Sequence, residues 1–223
     1  MISRRLKASY YTLFHYPMRL NAFRHRAFPL HRGNIKVQLG PGQKNYIDGW
    51  VNVDANFVTA KIDIWADFSG KLPFRNRSVD AFYSHHVIEH LPDQALPFHF
   101  AEMFRCLRHG GVIRVGGPHG DSAIQKFQEN DAAWFSDFPD KRHSIGGKFA
   151  NFILCRGEHL TILTSSYMTE IASEAGFQDI TFCKPITQTN FPATFDPRVT
   201  STEWETTSEV PHTLIMEARK PEG

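Results

Sequence analysis

The sequence predicts an α/β layer fold built on a mostly parallel sheet. Three observations point to it: short β-type runs recur after Gly33, turns or helical stretches separate them, and the first three runs end at or just before a glycine or an aspartate. Residues 34–39 alternate well enough for a first strand, and Gly40-Pro41-Gly42 stops it. Residues 50–53 read as a second strand, 61–66 as a third with Ile62 and Ile64 on one face, and 79–83 as a fourth. Residues 94–107 then place Leu96, Phe100, Met103, Phe104 and Leu107 on the stripe of a helix. Pro97 falls in its first turn, where a missing N–H does little harm. Gly110-Gly111 ends that helix and 112–115 forms strand five. A short helix fits 121–129. From 130 to 160 the periodicity is poor, and Trp134, Phe135, Phe138, His143, Gly146-Gly147 and His159 are mixed, which suits a lid or substrate-facing insertion. Ser166 can cap a helix running to Ala175, with Met168, Ile171 and Ala175 inward and Gly176 at its end. Residues 177–183 and 213–218 read as the last two strands, and the Thr- and Pro-rich stretch 184–211 between them as a long substrate-side loop.

At 223 residues the chain holds one domain with appendages, and its 41% hydrophobic and 22% charged content excludes a disordered or fibrous protein. No run approaches the roughly 18 apolar residues of a membrane span. Cys106, Cys155 and Cys183 are odd in number and lack any CxxC pair, which argues against a disulfide framework or a thiolate zinc site and for a reducing, cytoplasmic setting.

Charge is uneven. Of the 25 Lys and Arg, seven (Arg4, Arg5, Lys7, Arg19, Arg24, Arg26, Arg32) lie in residues 1–34 with no acid, so the other 18 face all 23 acids, a balance of −5. Such a body attracts no polyphosphate, and the basic arm has no nucleic-acid motif, so no nucleic-acid partner is expected. In that arm Ile2, Leu6, Tyr10, Leu13 and Phe14 recur at near-helical spacing. Residues 1–33 therefore form a basic helical cap over the ligand cleft, an arm in peripheral contact with an anionic membrane through residues 1–30, or a targeting peptide. The main domain spans 34–220.

In an open parallel sheet ligands bind beyond the carboxyl ends of the strands, where strand order reverses. Leu39-Gly40-Pro41-Gly42 follows strand one, Asn52-Val53-Asp54 ends strand two, Ala66-Asp67-Phe68 ends strand three and Ser84-His85-His86 ends strand four. A glycine turn lets an anionic group approach backbone N–H groups. The acid at the next strand end can accept from two ribose hydroxyls, and the following Asp from an adenine amino group. Each signal alone is commonly a turn or a cap; their order and spacing describe an adenosyl pocket.

With LGPG (39–42), GWVNVDA (49–55), ADFSGKLPF (66–74), SVDAFYSHHVIEHL (78–91) and EMFRCLRHGGVIRV (102–115), the sequence resembles the class I S-adenosylmethionine-dependent methyltransferases, in particular the branch with a methyltransferase type 11 domain. The resemblance covers about residues 35–118 well and the last helix and strands more loosely. It implies a Rossmann-like three-layer sandwich with a mostly parallel seven-stranded sheet and an antiparallel last strand. It also implies S-adenosylmethionine as cofactor, with Leu39, Gly40 and Gly42 along the methionine part, Asp54 on the ribose, Asp67 and Phe68 on the adenine, and His85 or His86 beside the methyl group. Gln38 departs from the acid that the family often carries. Only 12 positions separate Gly42 from Asp54, which requires a very short first helix, and Asn45 replaces the third glycine of GxGxxG. Both features oppose an NAD fingerprint.

His86-Val-Ile-Glu89-His90 also matches the HxxEH zinc-hydrolase pattern. It falls where the methyltransferase branch itself carries an E-H, so no metal is assigned and the zinc hydrolase is the least favoured alternative. The bland role for Glu89 and His90 is to anchor their loop; His99, His109 and His212 read as surface or packing residues. The expected reaction is O-methylation of a small polar molecule or a glycan. His86 would be the base, Glu89 and His90 stand beside it as catalytic candidates, and His119, Trp134 and His143 lie near the acceptor. A protein that holds S-adenosylmethionine on the same fold without transferring the methyl group is the other class.

Overall fold

The computed structural model describes residues 4–31, 33–205 and 209–223, with side chains from Ser9 onward within those ranges. Ile2, Arg32 and the side chains of Arg4, Arg5, Leu6 and Lys7, all named above, lie outside the described residues. The elements are α1 (Arg4–Ala27), β1 (Lys36–Leu39), β2 (Val51–Asp54), β3 (Ile64–Trp65), β4 (Val79–His85), α2 (Leu96–Cys106), β5 (Leu107–Pro118), α3 (Gly120–Gln128), α4 (Ile145–Leu154), α5 (Ser165–Glu174), β6 (Gln178–Cys183), α6 (Pro197–Thr200) and β7 (Thr213–Arg219).

The seven strands form one sheet in the order β3-β2-β1-β4-β5-β7-β6. The first five are parallel, and β7 runs antiparallel between β5 and β6. The chain leaves β1 toward β2 and returns on its other side as β4, so strand order reverses between β1 and β4. Every strand expected from the sequence is present.

The deviations are local and have local causes. β3 shrinks to two residues because Asp63 binds Asn52 three times, its N–H donating to the Asn52 carbonyl (2.8 Å) and its carboxylate accepting from the Asn52 N–H (2.7 Å) and side-chain amide (3.0 Å). No helix follows β1; a turn closed by the Asn45 N–H on the Pro41 carbonyl (3.2 Å) takes its place. Helix α2 stops at Cys106 rather than at the glycine pair. Pairing then jumps from Val79 with Leu107 to Ala81 with Val112, and Gly110, at φ +73°, absorbs the bulge. Thr164, not Ser166, caps α5 by accepting from the Tyr167 N–H.

One face of the sheet is covered by α2 and α5, whose Leu96, Phe100, Met103, Met168 and Ile171 pack on Leu39, Phe82, Ile113 and Val115. Each such side chain contributes about 1.5–3 kcal/mol when fully buried. On the other face, Trp50, Ala81, Tyr83 and Val112 pack under Phe195 and Val199. The third layer there is thus mostly irregular chain from the 184–211 stretch, with α6 as its one helical turn. Residues 130–160 hold a small core of their own, in which Phe135 and Ile153 join Ala123 of α3.

α1 lies against the β3 edge. Met18 and Ala22 are buried, Asn21 Nδ2 donates to the Trp65 carbonyl (2.8 Å), and Arg26 donates to the Lys71 and Leu72 carbonyls (3.1 and 3.2 Å). Its outward side presents Leu13, Tyr16, Leu20 and Phe23, which are 69%, 78%, 69% and 59% exposed. Arg19 and Arg24 are exposed beside them. No helix of the described residues is long and apolar enough to cross a membrane.

The 184–211 stretch is tied to the sheet by a fully buried charge cluster. Arg114 of β5 donates to Glu203 (Nε to Oε1 2.6 Å, Nη2 to Oε2 2.9 Å), to Glu217 of β7 (2.6 Å) and to the Gln188 carbonyl (3.0 Å). Burial works against the guanidinium, yet the two carboxylates outweigh it and hold it charged. The Ile186 N–H adds a bond to Glu203, and Thr189 and Asn190 bond Glu217. Removing the cation would strand two buried carboxylates, which costs about 3–5 kcal/mol. Arg114→Met is therefore expected to lower the urea midpoint by a corresponding amount; a loss under about 1 kcal/mol would show that this cluster does not anchor the loop.

Candidate functional site

The strand-end residues meet at the reversal between β1 and β4. Gly40 needs to be glycine on two counts: its φ is +71°, and a Cβ there would stand 2.3 Å from Val87 Cγ2. The glycine turn is thereby pressed against the His86–His90 segment. Its Gly40 N–H donates to the Val53 carbonyl (2.8 Å) and its Gly42 N–H to Asp54 Oδ2 (3.2 Å). Asp54 Oδ1 accepts from the Asn56 N–H (2.9 Å), leaving each oxygen a further lone pair, while burial raises the carboxyl's pKa. Leu39 is buried beneath the turn.

Asp67 follows β3 and accepts from the Ser69 N–H and hydroxyl (3.0 and 2.6 Å); Phe68 beside it is buried. α1 runs over both acids. Its Tyr10 hydroxyl donates to the Ala55 carbonyl (2.5 Å), and His15 Nδ1 lies 3.9 Å from Asp67. Burial together with the charges of Asp67 and Asp54 pushes the Tyr11 phenol up to about 12. Three buried polar atoms near the end of β1 and β4 have no hydrogen-bond partner among the described residues: Gln38 Oε1, Ser84 Oγ and His85 Nδ1.

The two histidines after β4 part company. His85 Nε2 accepts from the Trp204 N–H (3.2 Å), its ring lies parallel to Tyr83, and burial, with His86 and Arg114 nearby, pushes its pKa down to about 2. It thus faces β5 and the long loop. His86, at φ +54°, has its ring edge-on to that of His85 at 4.5 Å but takes other partners: Nδ1 meets Glu89 Oε1 at 3.1 Å and Nε2 lies 3.4 Å from the Thr213 hydroxyl. Glu89 is only 1% exposed. Burial alone would raise its pKa, but the His86 hydrogen bond and the charges of His86 and His90 more than reverse this. Glycines allow the approach from β5. A Cβ on Gly116 would sit 3.3 Å from His85 Nδ1, and one on Gly117 3.1 Å from Glu89 Oε2.

The HxxEH pattern does not fold as a zincin helix. Only Ile88–His90 is helical, as one 3-10 turn, and His86 sits outside it with its Nδ1 engaged by Glu89. His90 instead meets His159: Nδ1 of His90 bonds the Glu158 carbonyl (2.9 Å), and the two rings cross 5.2 Å apart. The Leu160 and Thr161 N–H groups both donate to the Glu89 carbonyl (2.7 and 3.2 Å), which holds this end of the 130–160 segment in place.

Of the expected acceptor-side residues, His119 is the cap of α3, accepting from the Ser122 N–H. Trp134 stacks on His212 at 4.1 Å and donates to the Val210 carbonyl (2.7 Å). His143 is exposed ahead of α4. His212 is a buried ion-pair partner rather than a surface residue: burial lowers its pKa, but Glu205 at 3.0 Å and the Trp134 carbonyl at 2.6 Å raise it overall. His159, expected only as part of the substrate-facing 130–160 insertion, lies beside Glu89 and His90, while Thr213, Trp204 and Gly116-Gly117 adjoin the histidines without having been singled out in the sequence.

His99, expected as a surface or packing residue, is fully buried with Nδ1 on the Phe68 carbonyl (3.3 Å) and no partner at Nε2 among the described residues. Burial pushes it down to about 4. Because the unfolded imidazole titrates near 6.5, stability is full above that pH and falls at about 1.4 kcal/mol per pH unit down to about 4. His99→Phe should flatten this part of the stability profile, measured by urea unfolding between pH 7 and 4.5; an unchanged slope would assign the acid sensitivity elsewhere.

Residues 45–115 match the family model described as a methyltransferase domain, a match that begins just past the glycine turn. No curated protein matches the chain by sequence. Solved structures share its fold. A SAM-dependent methyltransferase from Archaeoglobus fulgidus aligns at 16% identity, over 95% of this chain and 100% of that one, with a TM-score of 0.53. A Thermotoga maritima SAM-dependent methyltransferase, described as a possible histamine N-methyltransferase, aligns at 12% over 97% and 96%, with a TM-score of 0.52. Phosphoethanolamine N-methyltransferase 2 of Haemonchus contortus, in complex with S-adenosyl-L-methionine, aligns at 14% over 90% of this chain and 52% of that one, with a TM-score of 0.52.

Proposed function

We propose that this chain, which matches a methyltransferase domain over residues 45–115 and shares the fold of solved SAM-dependent methyltransferases, is a class I S-adenosylmethionine-dependent methyltransferase that methylates a hydroxyl of a small polar molecule or glycan. The observation that carries the reading is the convergence of the Gly40–Gly42 turn, Asp54 and Asp67 under α1, with unpartnered buried atoms beside them. These residues fit the cofactor. Gln38 Oε1 offers an acceptor for its amino group, Asp54 for its ribose hydroxyls and Asp67 for its adenine, while Gly40 keeps the turn free of a side chain. The bound cofactor supplies an activated methyl group, so the protein's task is alignment and proton removal.

Glu89 holds His86 by Nδ1, and Nε2, whose one contact is the Thr213 hydroxyl at 3.4 Å among the described residues, is the nitrogen that takes the acceptor's proton, the arrangement in which a carboxylate orients an imidazole base. Trp204, 55% exposed and fixed to His85 through its backbone N–H, offers an indole face on which a sugar ring can stack. Calorimetry should show binding of S-adenosylmethionine and S-adenosylhomocysteine but not NAD, with affinity reduced about 10- to 100-fold in Asp54→Asn. His86→Ala should keep that binding and lose about 10²- to 10⁴-fold in kcat with the acceptor. Full turnover in His86→Ala would overturn the base assignment, and binding without labelled-methyl transfer to any extract fraction would favour the non-catalytic reading.

The outward side of α1 carries a second reading, one of location. Four exposed apolar side chains flanked by arginines, in an arm without acids, suit a helix lying on an anionic lipid surface. The full chain should co-sediment with mixed phosphatidylglycerol–phosphatidylcholine vesicles, less so at high salt and not with phosphatidylcholine alone. Leu20→Asp with Phe23→Asp should abolish it; no sedimentation of the natural chain would exclude the contact.

A further inference from the structure

The geometry points to a binding site for a divalent transition-metal cation formed by Glu89, His90 and His159, beside His86. One ligand atom from each of the three lies within 4.8 Å of the others, and His90 Nε2 stands 3.8 Å from Glu89 Oε1. A cation bonded to each at about 2 Å would need to draw them together by only roughly an ångström.

Three independent features of the surroundings prepare these atoms for a cation. His90 Nδ1 is bound to the Glu158 carbonyl (2.9 Å) and His159 Nδ1 to the Ile153 carbonyl (3.1 Å). A carbonyl only accepts, so each Nδ1 carries the proton and each Nε2 is left as a lone pair, the tautomer in which ligating histidines are held. Glu89 is a buried carboxylate whose Oε1 stands 3.8 Å from His90 Nε2 and whose Oε2, on the Gly117 side, has no hydrogen-bond partner among the described residues. Among the described residues three imidazoles face it, His86 by a 3.1 Å hydrogen bond, His90 at 3.8 Å and His159 with a ligand atom within 4.8 Å. Finally, the His90 side chain is 44% exposed, so coordination positions on that side remain open. Two imidazoles and one carboxylate with open positions suit zinc, manganese, cobalt or iron(II) rather than calcium or magnesium.

Resting on the methyltransferase reading, the cation's role would be to take the acceptor's hydroxyl oxygen and lower its pKa. The hydroxyl proton then passes to His86 Nε2, the oxygen forms its bond to the methyl carbon as the carbon–sulfur bond breaks, and the thioether leaves neutral. The acceptor would thus be recognised by a metal-binding oxygen, best a pair of neighbouring hydroxyls.

Cobalt(II) titration of chelator-treated full-length protein tests the site by visible absorption, with equilibrium dialysis for stoichiometry. The expected result is one cobalt per chain, displaced by zinc, and a loss of at least tenfold in affinity in His159→Ala and in His90→Asn, both checked for folding by circular dichroism. Should either variant fail to fold, the natural chain's stoichiometry and its displacement of cobalt by zinc decide. No uptake by the natural chain, or undiminished uptake by a folded His159→Ala, would overturn the site. Calorimetry with S-adenosylmethionine on the same samples separates the two readings: cobalt uptake without cofactor binding sinks the methyltransferase role and spares the site, and cofactor binding without cobalt uptake does the reverse.

Discussion

The architecture around the cleft depends on a single guanidinium. Arg114 stands inside the sheet, where a cation is costly to bury, and its position is tolerable because Glu217 on the neighbouring strand and Glu203 from the far end of a long loop both reach it. One bond of this set is local to the sheet; the others reach across the chain. By fixing Glu203 it fixes Trp204 and Glu205, which in turn hold His85, His212 and Thr213, and Thr213 touches His86. A loop with almost no regular structure is thereby given one conformation, and it covers the sheet face where a helix would ordinarily lie.

A second constraint is steric. Gly40, Gly116 and Gly117 come from the ends of two strands, and a side chain at each would collide with a neighbour: Val87 at Gly40, Ile215 first and His85 behind it at Gly116, Leu163 first and Glu89 behind it at Gly117. The histidine segment after β4 is clamped between two glycine-bearing strand ends. That clamp accounts for the left-handed backbone at His86, a conformation that disfavours a side-chain-bearing residue and persists only where the surroundings dictate it. It also leaves the His85 and His86 rings crossed edge-on at 4.5 Å with different partners, His85 on the Trp204 N–H and His86 on Glu89, which gives the two adjacent imidazoles different environments.

Much of this was legible in the sequence because the signals were short-range. Strand runs, the stripe of α2 and the glycine and aspartate punctuation at strand ends depend on residues a few positions apart, and they define the sheet and the Gly40–Asp54–Asp67 edge. Boundaries went astray where a side chain replaced the expected backbone pairing, as Asp63 did at β3, or where a bulge took up a glycine, as at Gly110. What could not be read were contacts between distant segments. Nothing near Arg114 announces Glu203, and nothing near His90 announces His159, because each pairing is set by how the loops cross the sheet. His119 and Trp134 are expected near the acceptor from their place in the presumed mouth and their residue types, which do not reveal that the fold also uses them as a helix cap and a stacking partner.

α1 joins two surfaces that are otherwise separate. Its inner side places Tyr10, Tyr11 and His15 over Asp54 and Asp67, and its outer side carries the apolar stripe. Both sides belong to one helix, with Pro17 between Tyr10 and Asn21, so a surface that gripped the outer stripe would pull on the same element that roofs the two acids, and the missing backbone bond at Pro17 is where that element would yield first.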